Sequence, residues 1–424
     1  MTTPEPGHGR PDPAESPESP EFPEPPEHPD DVLRALEPWH RELRAQFPIL
    51  RAAPGLAYLD SAATSQKPQA VLDAVQTYLT TANANAGRGS YPWANRTTAL
   101  VEKARQQVGE ALGDPCPDTS QVLLTSGATE ALRTVARDWL ADQLADGDEV
   151  VVPFADHQAN ITPWQEVRDL LARRGIHVRL RPMPYQSGSG DYDHAALAEA
   201  VTPRTRFVAT THVHHVYGND MNVHRIRAAV GPDVPICLDA SQSVGHQPIR
   251  LDTLDVDFAV FSGHKALALP GTGALWARQA RGPALRPAGW AGTPNTVGAV
   301  SLSAALDWLR AADTARVHRW TRALTARLTD ALSRLGSYQV LGCRTSLAAE
   351  STVQRRQSLV SFRHRAIPSG DLGFVLFDSG LMVRSDQHCQ GGSGERTGSV
   401  RVSTHAYTSV DEIDRLVEAL RALD

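Results

Sequence analysis

At 424 residues and 45.9 kDa the chain exceeds one ordinary core, so two domains sharing an interface are expected. A hydrophobic content of 41% and a mean hydropathy of −0.32 fit a soluble protein, and no apolar run reaches the ~18–20 residues of a membrane span. The net charge of −6 is concentrated at one end: residues 1–30 hold eight carboxylates and one arginine, and the remainder has 41 basic against 40 acidic residues, which argues against a nucleic-acid surface. Those thirty residues also hold ten of the 30 prolines and few large apolar side chains, so a disordered, solubilising tail is expected. The acidic, proline-rich start fits neither a secretory signal nor a transit peptide, and a cytoplasmic protein is expected.

After the tail, Val32, Leu33, Leu36, Trp39, Leu43 and Phe47 form one stripe, predicting a helix over 32–47. Tyr58 and Leu59 begin a short strand that runs into a turn of small residues. Val122–Leu124 reads as a strand, followed by the turn Thr125-Ser126-Gly127-Ala128-Thr129-Glu130 and a helix to Leu140. Strand, small-residue turn and helix N-terminus make a phosphate cradle, because backbone amides and the helix dipole favour an anion. Further strands are expected at 149–152, 178–181, 207–210, 236–239 and 258–261, with helices such as 165–174 and 194–200 between them. This alternation predicts an α/β fold with a mostly parallel sheet and functional groups at strand C-termini. The span 302–334 reads as one long bridging helix into a smaller α+β C-terminal domain. That domain has strands at 358–362 and 399–402 and a last helix capped by Ser409 and Glu412, its buried face formed by Ile413, Leu416, Val417, Leu420 and Leu423.

The most informative residue is Lys265, in Ser262-Gly263-His264-Lys265 directly after the apolar run 257–261. The preceding apolar run, 234–238, ends in Asp239, with Gln242 three residues on. A lysine amine so placed forms a Schiff base with pyridoxal phosphate. The aspartate keeps the cofactor's pyridine nitrogen protonated, making the ring an electron sink. Cys116, Cys237, Cys343 and Cys389 are widely spaced without a CxxC pair, so neither a disulfide scaffold nor a metal site is expected. Cys237 reads as core, whereas Cys389 precedes the glycine-rich stretch Gln390-Gly391-Gly392-Ser393-Gly394 and reads as an exposed loop thiol.

Together these motifs resemble the class V aminotransferase family of fold-type I pyridoxal phosphate enzymes, within it the cysteine desulfurase and selenocysteine lyase branch. The resemblance spans the chain after the tail, through residues 58–68, 125–130, His157-Gln158-Ala159-Asn160, Thr211-His212-Val213, Asp239 with Gln242, 262–265, Gly292–Thr296, Val383-Arg384, His388-Cys389 and Arg401-Val402-Ser403. After the tail of residues 1–30, the domains expected are an N-terminal segment 31–60 packing with the small domain, a large cofactor-binding domain 61–300, and a bridge and small domain over 301–424. His157 would stack on the pyridine ring, Asp239 pair with its nitrogen, and Gln242 bond the 3′ oxygen. Ala128, Thr129, Ser262 and His264 would hold the phosphate, with Thr296 of a neighbouring subunit, so a homodimer is implied. Arg401 would grip the substrate carboxylate near Arg384. Cys389 would take the substrate's sulfur as a persulfide, with His388 and Arg384 supplying positive field, and a reductant or partner protein would accept it.

Three features depart from the family pattern. His215 stands where asparagine is usual at the cofactor's 3′ oxygen, and a histidine there can still donate but also titrates. Gly87-Arg88-Gly89 replaces His-Arg-Gly, with Tyr91 for another histidine, and the segment between Trp276 and Gly292 is short, which opens the pocket. These keep open a C–S lyase eliminating pyruvate from a larger conjugate, an aminotransferase-like or epimerase relative, and a silent homologue that binds a partner. Retention of Lys265, Asp239, His157 and Arg401 argues against the last. His246 and His405 read as structural.

Overall fold

The structure, a computed structural model, describes residues 28–87, 89–186, 188–278, 293–343, 356–386, 388 and 398–424. Its strands are β1 (Ala57–Tyr58), β2 (Ser120–Thr125), β3 (Glu149–Val152), β4 (Arg179–Pro182), β5 (Thr205–Thr211), β6 (Ile236–Asp239), β7 (Phe258–Ser262), β8 (Gly273–Arg278), β9 (Tyr338–Val340), β10 (Leu359–His364), β11 (Leu381–Met382), β12 (Arg384–Asp386) and β13 (Ser399–Ser403). Seven form the central sheet in the order β2-β8-β7-β6-β5-β3-β4. From β7 to β4 neighbouring strands are parallel, while β8 is antiparallel to both its neighbours.

β3, β6 and β7 are buried at every position, as strands covered by helices on both faces must be. Alternate residues of β7 serve opposite layers: Ala259 and Phe261 join Leu238, Trp276 and Leu302, while Phe258 and Val260 join Val150, Phe207 and Leu275. The expected parallel α/β sheet is therefore present. β8 is an addition that the sequence did not signal. It opens with Gly273, where a Cβ would lie 2.5 Å from the Phe261 oxygen and 2.6 Å from Gly127 Cα, so only glycine lets β8 pass under the turn after β2.

A second, antiparallel sheet has the order β12-β13-β10-β9. Its core joins Phe362, Val402 and Leu416 to Trp320 and to Val32, Leu33, Ala57 and Leu59 from the N-terminal segment. β1 pairs in parallel with β11, and Asp60 bridges to Ser403, so this segment is built into the C-terminal layer. Arg44 forks onto Glu412 at 3.0 and 2.9 Å, tying the first helix to the last.

Two boundaries differ from expectation. The first helix is Pro29–Arg44 rather than 32–47: residues 29 and 30, assigned to the tail, lie in its first turn, and Phe47 lies beyond its end. Proline is pre-set for that position, and His28 Nδ1 accepts the Asp30 N–H at 3.3 Å. Residues 1–27 of the expected tail lie outside the described residues. The single bridging helix over 302–334 is instead two, Thr296–Ala311 and Thr314–Ser333. Asp313 breaks it at φ 63, and its carboxylate accepts the N–H groups of Ala315 at 3.0 Å and Arg316 at 3.3 Å, starting a new helix. The last helix, Val410–Arg421, carries the expected Ser409–Glu412 capping box and buries Ile413, Leu416, Val417 and Leu420; Leu423 lies beyond its end, half-buried.

Candidate active site

The turns after β2, β3, β5, β6 and β7 open at one end of the sheet, onto a cleft of about 200 Å³ closed on the far side by β12 and β13. It brings together Ala128, Thr129, His157, His215, Asp239, Gln242, Ser262, His264, Lys265, Arg384 and Arg401. Thr296 does not line it. Its hydroxyl bonds the Tyr78 phenol at 2.9 Å, at the start of the helix Thr296–Ala311. Cys389, Arg88 and the short segment 279–292 lie outside the described residues. Sequence reasoning missed Ala62, Ala63, Ala159, Thr211 and Ser241 in the wall; small residues in turns and at a strand end carry no signal that separates a lining position from any other.

Asp239, the last residue of β6, is buried, and its Oδ1 accepts the Ser241 N–H at 2.9 Å. Gln242 Nε2 donates to the Ala62 carbonyl at 3.1 Å, which fixes the amide against the opposite wall. The helix Ala128–Asp138 begins at Gly127 with no side-chain cap. Ser262 Oγ accepts the Ala128 N–H at 3.0 Å, and among the described residues no side chain caps the helix's other first-turn amides. Ser241 Oγ lies buried in the same wall without a hydrogen-bond partner among the described residues. An uncapped helix N-terminus, an unpartnered buried hydroxyl and a buried strand-end carboxylate fit a phosphorylated, protonated pyridine.

Burial holds His157, His264 and His215 below the usual imidazole pKa. Burial, then the Lys265 charge, lowers the His157 pKa to about 4, against an opposing pull from Asp239. Its Nδ1 accepts the Ala159 N–H at 3.1 Å, so the remaining proton sits on Nε2. Burial and Lys265 likewise bring His264 down to about 4. His215 is pushed well below its usual value by burial and by His214 and His157. Its Nε2 lies 3.0 Å from the His388 carbonyl, which can only accept, so the single N–H of the neutral ring is engaged there. The ring also stands edge-on to His157, with centroids 5.0 Å apart at 85°. His388, at φ 54, is further held by a 2.8 Å bond between its Nε2 and Ser399 Oγ.

Arg401 is 3% exposed and donates to the His215 carbonyl and to Asp60 Oδ1, both at 3.0 Å. Among the described residues no cluster of histidine, cysteine, aspartate and glutamate could hold a metal, and no helix is long and apolar enough to cross a membrane. His246 and His405 lie outside the cleft, buried with ring centroids 4.3 Å apart.

The description "Aminotransferase class-V" matches residues 57–290 and 288–416. A probable cysteine desulfurase of Vibrio cholerae is 33% identical over 416 residues, covering 90% of this chain and 98% of that protein. The cysteine desulfurase CsdA of Escherichia coli is 32% identical over 411 residues, covering 90% of this chain and 97% of its own. Its crystal structure aligns with a TM-score of 0.76 at 29% identity, over 91% of this chain and 98% of that one. An apo cysteine desulfurase of Thermococcus onnurineus shares the fold, with a TM-score of 0.79 at 24% identity over 90% of this chain and 97% of that one.

Proposed function

The chain belongs to the class V aminotransferase family, and from that premise we propose that it is a pyridoxal phosphate-dependent cysteine desulfurase. The reaction turns L-cysteine and an enzyme thiol into L-alanine and an enzyme persulfide. The observation that supports it is the convergence on one cleft of a strand-end lysine, a buried strand-end carboxylate, an uncapped helix N-terminus and two arginines.

Pyridoxal phosphate, when bound, supplies the electron sink that makes the substrate's Cα–H acidic. The turn 127–129 with Ser262 and His264 would hold its phosphate, Asp239 its ring nitrogen, and Gln242 its 3′ oxygen, with His157 as a neutral ring over the pyridine. Thr296 of a second subunit would complete the phosphate site, which makes the working unit a homodimer. Lys265 would hold the cofactor's aldehyde carbon, and its Nζ is placed to take the proton from the substrate's Cα. Arg401 fixes the substrate carboxylate with its two-pronged guanidinium, and Arg384 adds charge beside it. Cys389 is the sulfur acceptor; a thiol reductant or a partner protein then removes the sulfur. A cytoplasmic enzyme is the reading that this chemistry and the lack of a membrane-length apolar run support.

Product analysis tests the function. The purified protein, with pyridoxal phosphate, L-cysteine and a thiol reductant, is expected to release alanine and sulfide in equal amounts, and Cys389→Ser to release neither. Pyruvate and ammonia that persist in Cys389→Ser would replace this reading with β-elimination.

A further inference from the structure

The turn that carries Lys265 is strained, and it is gripped from outside by a segment that the proposed chemistry does not use. β7 ends at Ser262, one 3-10 turn spans Gly263–Lys265, and the chain then passes through Leu267 at φ 67. A fully buried leucine in the left-handed region is costly, because its Cβ crowds the following carbonyl oxygen. Such a conformation persists only where the surroundings over-determine it.

Residues 64–67 do so. The carbonyl of His264, the peptide oxygen immediately before Lys265, accepts from the Ser65 N–H at 2.9 Å, Ser65 Oγ at 2.8 Å, Lys67 Nζ at 3.1 Å and Thr64 Oγ1 at 3.3 Å. A carbonyl oxygen has two lone pairs, so four donors are double its ordinary complement. Ser65 Oγ also accepts the Leu267 N–H at 2.9 Å, so one hydroxyl bridges both sides of Lys265. Lys67 Nζ donates as well to the Ser65 carbonyl, closing the clamp on itself. Ser65 is buried, and burial lowers the Lys67 pKa to about 8. Among the described residues no carboxylate pairs with Lys67, so an ammonium is desolvated against backbone carbonyls alone. Fold stability by itself gives no reason to place a cation there.

Resting on the assignment of Lys265 above, we propose that Lys67 and Ser65 are positioning residues that lock the His264–Lys265 peptide. The lysine must hold the cofactor, let go, and then meet the substrate's Cα–H. With its peptide clamped, only the side chain moves between these tasks, and Nζ returns to the same two places each turnover. Misplacing a reacting group by about 1 Å costs on the order of a hundredfold, so a clamp on this peptide has kinetic value.

The test compares Lys67→Met, Lys67→Arg and Ser65→Ala in the full chain, each checked for folding by thermal unfolding. Two readouts are used: amide hydrogen exchange around Leu267 in the apoprotein, and the rate at which added pyridoxal phosphate acquires its lysine-bound visible absorption band. Lys67→Met is expected to raise exchange there and to slow the band by about tenfold or more. Affinity for pyridoxine phosphate, which has no aldehyde to react with lysine, should stay unchanged, and Lys67→Arg should restore most of the rate. Ser65→Ala, which deletes one hydroxyl, carries the same expectation if Lys67→Met does not fold. Wild-type exchange and band formation in both variants overturn the proposal. So does an equal loss of pyridoxine phosphate affinity with no rescue by arginine, which would make the segment general support. A wild-type protein that forms no band, or a band that survives Lys265→Ala, overturns the assignment of Lys265 itself and the inference with it.

Discussion

Arg384 on β12 and Arg401 on β13 lie directly opposite each other across the strand pair, and both line the cleft. Like charges facing each other in a sheet are destabilising, and burial makes the pair more costly. Asp60 offsets part of this through its 3.0 Å bond to Arg401. The pairing places two guanidinium groups side by side at one end of the cleft, where the proposed function puts the substrate carboxylate.

Arg401→Lys keeps the charge but loses the fork that reaches Asp60 and the His215 carbonyl together. The kcat/KM for L-cysteine is expected to fall on the order of a hundredfold, because an ammonium can neither hold those two partners together nor present two parallel N–H groups to the substrate carboxylate. Arg384→Ala, which leaves that fork intact, should act mainly on KM. Steady-state kinetics with cysteine decide it, and an Arg401→Lys enzyme within about threefold of wild type removes Arg401 from substrate binding.

His215 makes a separable prediction, because its N–H serves the His388 carbonyl rather than the cleft. His215→Ala should lower stability by about 1 kcal/mol through the lost bond. It should also release His388 from its left-handed conformation and slow the first turnover of alanine. The absorption maximum of bound pyridoxal phosphate should not move. A shifted maximum with unaltered alanine formation would place the His215 N–H on the cofactor instead.

The pH dependence of stability follows from burial. His40, His214 and His246 are buried with pKa values lowered to about 3, burial being the largest cause in each. Unfolded, each titrates near 6.5, so below that pH the unfolded state binds protons that the native state refuses. Each then removes up to about 1.4 kcal/mol per pH unit as the pH falls towards 3, and none contributes well above 6.5. Asp156 works the other way: burial holds its carboxyl up at about 8, against the Tyr192 hydrogen bond, so stability is lost as pH rises from about 4 to 8. Three groups outweigh one on the acid side. Urea midpoints across pH are expected to peak near 6–7 and to fall more steeply towards acid than towards base. A flat profile from 4 to 7 contradicts the neutral buried histidines.

The local pattern of residues determined a good deal. Short apolar runs that stop at a polar residue mark strands and their C-terminal ends, so Asp239 and Lys265 were legible as strand-end groups. So was the turn at 126–127 between a strand and a helix start, since both elements are encoded within neighbouring positions. The Ser409–Glu412 box was legible for the same reason. What eluded the sequence depends on distant partners. β8 is antiparallel in a parallel sheet, and its place follows from the gap that Gly273 leaves against Phe261 and Gly127. Asp313 breaks a helix whose apolar period continues past it. The pairing of Arg384 with Arg401, the bond from His215 to His388, and the grip of residues 64–67 on the His264 carbonyl join segments 17 to 200 residues apart. Period and capping are properties of neighbouring residues, and a sequence carries them openly. Which carbonyl receives which donor is decided only when the packed core brings the segments within bonding distance.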